Sequence, residues 1–277
     1  MKTIIVATDY SGSANNAIKY AAALARHTNS TLVLVNSFEL SVSAANTLLP
    51  ASSVDDLISI NRKRLKDIAI DTSNTFGIPV KYRSGTSFLR GELDNQVERL
   101  DAELVIVGMS ESGSRHEYEN NTISIIRHAK YPVLAIPGDA SFEGISKILF
   151  AFDPDCMLAA NKLPLLVEVA AFFNAEVQVC HIEKKECAIT TNQYHPGNTP
   201  INVEGLLNKV AHLYKDIAED DVVKGIECGI KDFKPDLLVM VPHKYGFWES
   251  MWHKSKTSKM TRRTHIPLLV LPNPTLA

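Results

Sequence analysis

Short apolar runs alternate along the first half of the chain with longer stretches in which apolar residues recur at helical spacing. The runs at 3–8, 31–35, 104–107 and 132–136 have the length and composition of strands buried on both faces of a parallel sheet. A further strand is predicted at 80–83. The intervening stretches predict helices that start near residue 14, run from 53 to about 76, and cover 92–100 and 122–128. Strands that alternate with helices indicate a doubly wound parallel sheet with right-handed crossovers.

Polar residues mark where these helices are expected to begin. Ser11 or Ser13 is predicted to cap the first helix, because a side-chain oxygen there accepts an otherwise unpaired backbone N–H. Ser53 is predicted to cap the second, and two aspartates follow it in the first turn, where the helix dipole favours negative charge. Asn120 or Asn121 is predicted to cap the last helix of this half, and each is also a candidate donor to a phosphate.

The second half of the chain repeats the first. The segments 2–9, 102–108 and 127–137 are matched by 146–153, 235–241 and 262–272, at offsets of 144, 133 and 135 residues. Repetition of a domain-length unit indicates duplication. We predict domains at 1–138 and 146–274, joined by a short linker that contains two glycines. The falling offset predicts that the second domain lost most of the long helix, with 203–210 as its remnant.

The strand at 104–107 leads into a loop that contains Gly108 and Gly113. A strand followed by a glycine-bearing loop and a helix is where α/β sheets bind phosphates, because backbone N–H groups and the helix N-terminus face the ligand. Two interpretations are open for these glycines. They line a nucleotide site, or they allow a tight exit from a buried strand.

Net charge, apolar run lengths and cysteine spacing argue against several classes of function. The 277 residues carry a net charge of -2, which does not suggest bulk nucleic-acid binding. No apolar run approaches the roughly 20 residues needed to span a bilayer. The chain starts with one lysine and a short apolar run that Asp9 ends, which predicts a strand and a turn and not a signal peptide. The four cysteines contain no C-x-x-C pair, which is typical of reduced thiols in a cytoplasmic protein.

The scattered histidines and cysteines lack a recognised metal-ligand spacing, so no metal is predicted.

Both halves resemble the universal stress protein family. The most specific matches are IIVATDYS, which places Asp9 after the first strand, and RHAKYPVLAIP at 127–137. The resemblance implies two five-stranded parallel-sheet domains of the adenine nucleotide alpha hydrolase-like type. It also implies a role in the stress response. Many members of the family bind ATP and others do not, so ATP or AMP is the candidate ligand of the first domain.

The family's ATP binders carry G-x-x-G-x9-G-[ST] after the fourth strand, and this chain departs from that loop. In the first copy Gly108 fills the first position, but Glu111 stands at the second, and Glu119 and Asn120 replace Gly-Ser. Gly113 restores one glycine only by a shift of register. In the second copy the three glycine positions hold Val241, Lys244 and Lys254, and Ser255 alone is kept. Side chains there would block a close approach of the backbone to phosphates, so the second domain is not expected to bind ATP as the binders do.

The predicted nucleotide site combines residues at the ends of the strands with residues of the loops. Its members are Ala7, Asp9, Ser37, Gly108, Met109, Gly113, Asn120, Asn121, Asp153 and Ser255. For Asp9, contact with the adenosine and closure of a turn are equally weighted interpretations. For Asp153 closure of a turn is favoured, because a proline follows it.

The chain has no G-x-S-x-G and no Walker loop, so we do not expect an enzyme with strong turnover, although slow ATP hydrolysis is left open. The alternative function is a non-enzymatic interaction module that has lost its nucleotide. Its surface would be the basic, aromatic stretch around Trp248 and Trp252, because aromatic residues anchor interfaces.

The last strand of each domain, at 133–136 and 268–271, would be an exposed apolar edge if the domain stood alone, which is a liability. We predict that these edges pair, so that the chain is its own pseudo-twofold dimer. Further homodimerisation is left open.

Overall fold

The computed structural model describes residues 2–38, 51–86, 88–109, 118–152, 163–183, 205, 207–241 and 265–272. The chain divides into two compact units. The first consists of Met1–Ile125 and Leu134–Phe142, and the second of Ile126–Val133 and Glu143–Ala277.

The first unit is built on a parallel sheet. Its described strands are β1 (Thr3–Ala7), β2 (Thr31–Ser37), β3 (Val80–Gly85), β4 (Leu104–Met109) and β5 (Val133–Pro137). Their order is β3-β2-β1-β4-β5, and β1 pairs in parallel with both β2 and β4. The central strands are fully buried, as the apolar runs predicted: Ile4, Ile5 and Val6 of β1 are all inaccessible to solvent. The predicted strand positions are confirmed to within two residues at either end.

The helices of the first unit are α1 (Gly12–Thr28), α2 (Ala51–Phe76), α3 (Leu89–Leu100) and α4 (Tyr118–His128). The cap of α1 is Ser11, whose Oγ accepts the N–H of Ala14 at 3.2 Å. The buried face of α1 is rich in alanine, which lets the helix approach the sheet closely.

Two predicted helix caps are wrong. Helix α2 begins at Ala51, so Ser53 lies inside the helix. Helix α4 begins at Tyr118, so Asn120 and Asn121 also lie inside their helix. The physical reason is that a serine or asparagine inside a helix destabilises it by roughly 0.7 kcal/mol at most relative to alanine. These residues therefore do not force a helix to start where they stand.

The second unit has the same plan. Its described strands are β6 (Lys147–Ala151), β7 (Glu176–Glu183), β8 (His212–Ala218), β9 (Leu237–Met240) and β10 (Leu268–Val270), in the order β10-β9-β6-β7-β8. In both units, therefore, the third, second, first, fourth and fifth strands follow one another across the sheet. The described helices are α5 (Pro164–Phe173) and α6 (Val222–Phe233), and Asp221 caps the latter by accepting two backbone N–H groups.

The strand registers of the two units agree at the offsets found in the sequence. Val6 lies opposite Ile106 in the first unit, and Phe150 lies opposite Val239 in the second. The second unit is shorter between its second and third strands, where residues 184–211 separate β7 from β8 while residues 38–79 separate β2 from β3. This is where the sequence predicted the loss. The predicted helix remnant at 203–210 is only partly within the described residues.

Candidate functional site

A cleft opens in the first unit between the ends of β1 and β4. This is the point where the strand order reverses, because β2 lies on one side of β1 and β4 on the other. Ligands of doubly wound sheets bind at such switch points. The cleft has a volume of about 50 Å³. It is lined by Ala7, Thr8, Asp9, Ser11, Ser13, Ala14, Leu89, Val107, Gly108, Thr122 and Ile125.

Asp9 closes the turn that leads from β1 into α1. Its side chain is exposed, and its Oδ1 accepts the N–H of Ser11 at 2.9 Å. The turn-closing interpretation is therefore observed. Because Asp9 also lines the cleft, the same carboxylate is placed at the edge where a ligand would bind, and the two interpretations do not exclude one another.

Gly108 is where α1 lies against the sheet. A Cβ added to Gly108 would lie 2.5 Å from the Ser13 carbonyl oxygen and 2.8 Å from the Ala14 nitrogen. Real Cβ atoms do not approach backbone atoms so closely, so the glycine is required by packing. The Gly108 carbonyl oxygen also accepts the Thr122 hydroxyl at 3.1 Å. Gly108 thus brings the first turn of α1 and the second turn of α4 to the edge of the sheet.

Hydroxyl groups gather at the N-terminus of α1. The Oγ atoms of Ser11 and Ser13 are 3.1 Å apart, and both residues line the cleft. A helix N-terminus presents backbone N–H groups and the positive end of the helix dipole. The arrangement can therefore receive an anionic or hydroxyl-bearing group.

A buried polar network lies behind the cleft, at the carboxyl ends of the first three strands. The Asn36 amide donates to the Thr8 carbonyl oxygen at 2.7 Å. The Asn61 amide donates to Asn36 Oδ1 at 2.8 Å and to Ser84 Oγ at 3.2 Å. Asn61 belongs to α2, so the network ties this helix to the edge of the sheet that carries the cleft.

Tyr10 joins the cleft turn to α2. Its φ of 67° is in the left-handed region, which a tyrosine rarely adopts. The Tyr10 hydroxyl donates to the Asn61 carbonyl oxygen at 3.2 Å, and the Arg64 guanidinium carbon lies 4.2 Å from the ring centroid. Burial raises the pKa of Tyr10, and the positive charge of Arg64 opposes that shift.

Of the predicted site residues, Ala7, Asp9 and Gly108 come together at the cleft. Ser37 and Met109 end β2 and β4 and lie outside the residues that line it. Asn120 and Asn121 are in α4, but their side chains are outside the described part of the chain. The other predicted positions are also outside the described residues: Gly113, Asp153 and Ser255, with the tryptophans Trp248 and Trp252.

Sequence reasoning missed several lining residues. Ser13 was considered only as a helix cap and Thr122 only as the start of a helix. The signal for Ser13 was present, since two serines follow Asp9 within one helical turn. Leu89 and Ile125 carry no such signal, because their place at the cleft depends on how α3 and α4 approach the sheet.

The second unit differs at the matching positions. Phe152 stands where the first unit has Thr8, and it is buried beside Phe150, with ring centroids 5.8 Å apart. Val241, which follows β9, takes the place of Gly108. A ring thus replaces a residue that lines the cleft, and a branched side chain replaces the glycine that packs against α1.

Across the described residues, no group of three or more His, Cys, Asp or Glu side chains could hold a metal ion. None of the described helices combines the length and the apolar character that crossing a membrane requires.

The first half of the chain matches a known protein family. Residues 1–137 match the model of the universal stress protein family. The crystal structure of a universal stress protein from Archaeoglobus fulgidus DSM 4304 is similar over 98% of both chains, with 14% identity and a TM-score of 0.69. A putative universal stress protein from Pseudomonas aeruginosa UCBPP-PA14 is similar over 100% of this chain and 95% of its own, with 14% identity and a TM-score of 0.55. At these sequence identities the structural similarity shows that the fold is shared. No curated protein matches the sequence.

Proposed function

We propose that this chain is a cytoplasmic stress-response protein of the universal stress type, because its residues 1–137 form a domain of that family. In this proposal the first unit binds an adenine nucleotide, ATP or AMP, at the cleft between β1 and β4. The protein acts as a binder of the nucleotide and not as an enzyme with strong turnover. The second unit is a diverged copy that does not bind ATP.

One observation carries the proposal: the first turn of α1 meets the ends of β1 and β4 at the switch point of the sheet. Ser11 and Ser13 supply hydroxyl groups there, and Asp9 supplies a carboxylate. Backbone N–H groups at a helix N-terminus favour a phosphate, and a carboxylate favours the hydroxyl groups of a ribose. A nucleotide carries both kinds of group.

The matching positions of the second unit support the proposal that only the first unit binds a nucleotide. A buried phenylalanine ring at 152 leaves no hydroxyl where Thr8 lines the first cleft. Val241 would also keep a helix from approaching as α1 approaches Gly108.

Calorimetric titration with AMP and ATP tests the proposal. Wild-type protein is expected to bind, and Asp9→Asn and Ser13→Ala to bind more weakly. Asparagine keeps an oxygen for the Ser11 N–H while it removes the charge, so the turn survives this change. The matched control is Asp71→Asn, an exposed change on α2. Absence of heat with wild-type protein, together with an absorbance ratio at ~260 over ~280 nm typical of nucleotide-free protein, would reject nucleotide binding.

A second candidate function is a non-enzymatic interaction module. The observation that favours it is that packing against α1 already explains Gly108, the first glycine of the loop. The module would act through the basic, aromatic stretch around Trp248 and Trp252. A pull-down with wild-type protein and with Trp252→Ala tests it: a partner that both forms retain equally would exclude this surface.

A further inference from the structure

Tyr10 stands between two residues that line the cleft, Asp9 and Ser11, without lining it itself. Its φ of 67° lies in the left-handed region. Such a conformation disfavours a bulky side chain and persists only where the surroundings hold it.

The surroundings that hold Tyr10 come from one turn of α2. The hydroxyl donates to the Asn61 carbonyl oxygen at 3.2 Å, and the Arg64 guanidinium lies over the ring at 4.2 Å from its centroid. The Tyr10 N–H donates to Thr8 Oγ1 at 3.1 Å. Asn61 is itself fixed, because its amide donates to Asn36 at 2.8 Å. A side chain clamped at both its ring and its hydroxyl fixes the main chain that carries it.

The turn fixed in this way sets the geometry of the cleft. Asp9 Oδ1 meets the N–H of Ser11 at 2.9 Å, and Ser11 Oγ accepts the N–H of Ala14 at 3.2 Å. The Asp9–Ser11 hydrogen bond spans Tyr10 and therefore depends on its conformation, and the Ser11–Ala14 hydrogen bond starts at the next residue. If Tyr10 relaxed toward a negative φ, the Asp9 carboxylate and the first turn of α1 would no longer face the same space.

We propose that Tyr10 is a positioning residue, which is clamped on α2 and holds Asp9 and the N-terminus of α1 in the arrangement that receives the ligand. The inference rests on the proposed nucleotide function. It adds that α2, a helix outside the cleft lining, sets the affinity of the cleft through a residue that does not touch the ligand. Pre-organisation of this kind raises affinity because less ordering is required on binding.

The test compares Tyr10→Phe, which removes only the hydroxyl, with Tyr10→Ala, which also removes the ring. Tyr82→Ala is the control, because it truncates a half-buried tyrosine on β3 outside the cleft lining. Two quantities are measured: the dissociation constant for AMP, and the hydrogen exchange of the Ser11 and Ala14 amides by NMR. We expect Tyr10→Ala to weaken AMP binding about tenfold and to accelerate exchange most at the Ser11 amide, whose hydrogen bond spans Tyr10. Tyr10→Phe should lie between Tyr10→Ala and wild type, and the control should change neither quantity.

A double-mutant cycle separates positioning from a general loss of stability. Because Tyr10 acts through Asp9, Tyr10→Ala and Asp9→Asn together should weaken AMP binding by less than the product of their separate effects. Unchanged exchange at Ser11 in Tyr10→Ala, or independent effects in the cycle, would overturn the inference. If wild-type protein binds no AMP, the proposed function fails, and the exchange measurement still decides the role of Tyr10.

Discussion

The main chain of Ser13 lies directly against Gly108, so closely that a methyl group on Gly108 would meet the Ser13 carbonyl oxygen at 2.5 Å. Helix α1 and strand β4 touch here through backbone alone. This contact places the N-terminus of α1 at the cleft, and it explains a glycine that would otherwise be attributed to phosphate binding.

The first prediction is that Gly108→Ala destabilises the protein by about 1–3 kcal/mol, the usual cost of overpacking a tight contact. The added methyl group meets main-chain atoms, which cannot move aside as a flexible side chain would. Urea unfolding followed by circular dichroism measures the change. Gly138→Ala is the control, since its nearest neighbour would be the Met109 carbonyl oxygen at an ordinary 3.8 Å. Equal stability of the two variants would contradict the packing argument.

The strands could be predicted from the sequence because parallel strands buried on both faces are almost continuously apolar. The repeat offsets of 144 and 133 residues also relate the two units in the structure, since Val6 pairs with Ile106 and the matching Phe150 pairs with Val239. Helix starts could not be predicted as well. Ser53 looks like a cap, but α2 starts before it, because a serine does little to interrupt a helix.

The cleft itself was only partly predictable. Asp9 and Gly108 follow directly from strand ends, which meet at one edge of a parallel sheet. Thr122 could not be identified as a lining residue, because its position depends on a hydrogen bond to a carbonyl oxygen 14 residues earlier. Tyr10 gave no signal, since a left-handed conformation is expected of glycine or asparagine and not of tyrosine.

The second prediction concerns the buried network. Asn61→Ala removes the donor to Asn36 Oδ1 and to Ser84 Oγ, and leaves a buried amide oxygen without that partner. We expect a loss of about 1–3 kcal/mol, the cost of an unsatisfied buried polar group. Urea unfolding measures it. Asn74→Ala, an exposed change on the same helix, should have little effect. Helix propensity favours alanine over asparagine at both positions, so a loss confined to Asn61→Ala reports the network, and an equal loss in both variants would contradict this role.

The third prediction is that Asn16 holds the segment that follows β5 against α1. Its amide donates to the carbonyl oxygens of Pro137 and Ala140 at 2.9 and 2.8 Å, and the Phe142 ring packs on that of Tyr20. Asn16→Ala should therefore accelerate chymotrypsin cleavage after Phe142 severalfold, because local release exposes the peptide bond. Mass spectrometry of the fragments measures the rate. The neighbouring exposed variant Asn15→Ala should be cleaved at the wild-type rate. Equal cleavage rates in wild type, Asn15→Ala and Asn16→Ala would refute the role of Asn16.

The fourth prediction concerns Cys180, a buried thiol on β7. Burial, the largest cause, raises its pKa from 9.0 to about 11, while Lys215 opposes the shift. The thiol is neutral when protonated, so the folded state holds this proton more tightly than the unfolded state does. The corresponding stability is fully present below pH 9, and it is lost as the pH rises through about 11. A shift of this size corresponds to about 2–3 kcal/mol.

Urea unfolding of wild-type protein and of Cys180→Ala between pH 8 and 11 isolates the contribution of this thiol. The free energy of unfolding of wild type should fall more steeply with pH than that of the variant, because unfolded wild type releases the Cys180 proton above pH 9 while the folded state retains it up to about pH 11. Iodoacetamide at pH 8 provides an independent reading. It should modify the exposed Cys228 while Cys180 stays unmodified until the protein unfolds, since the thiolate is the reactive form. Parallel pH profiles of the two proteins, or equal labelling of the two cysteines in folded protein, would show that burial does not protect Cys180.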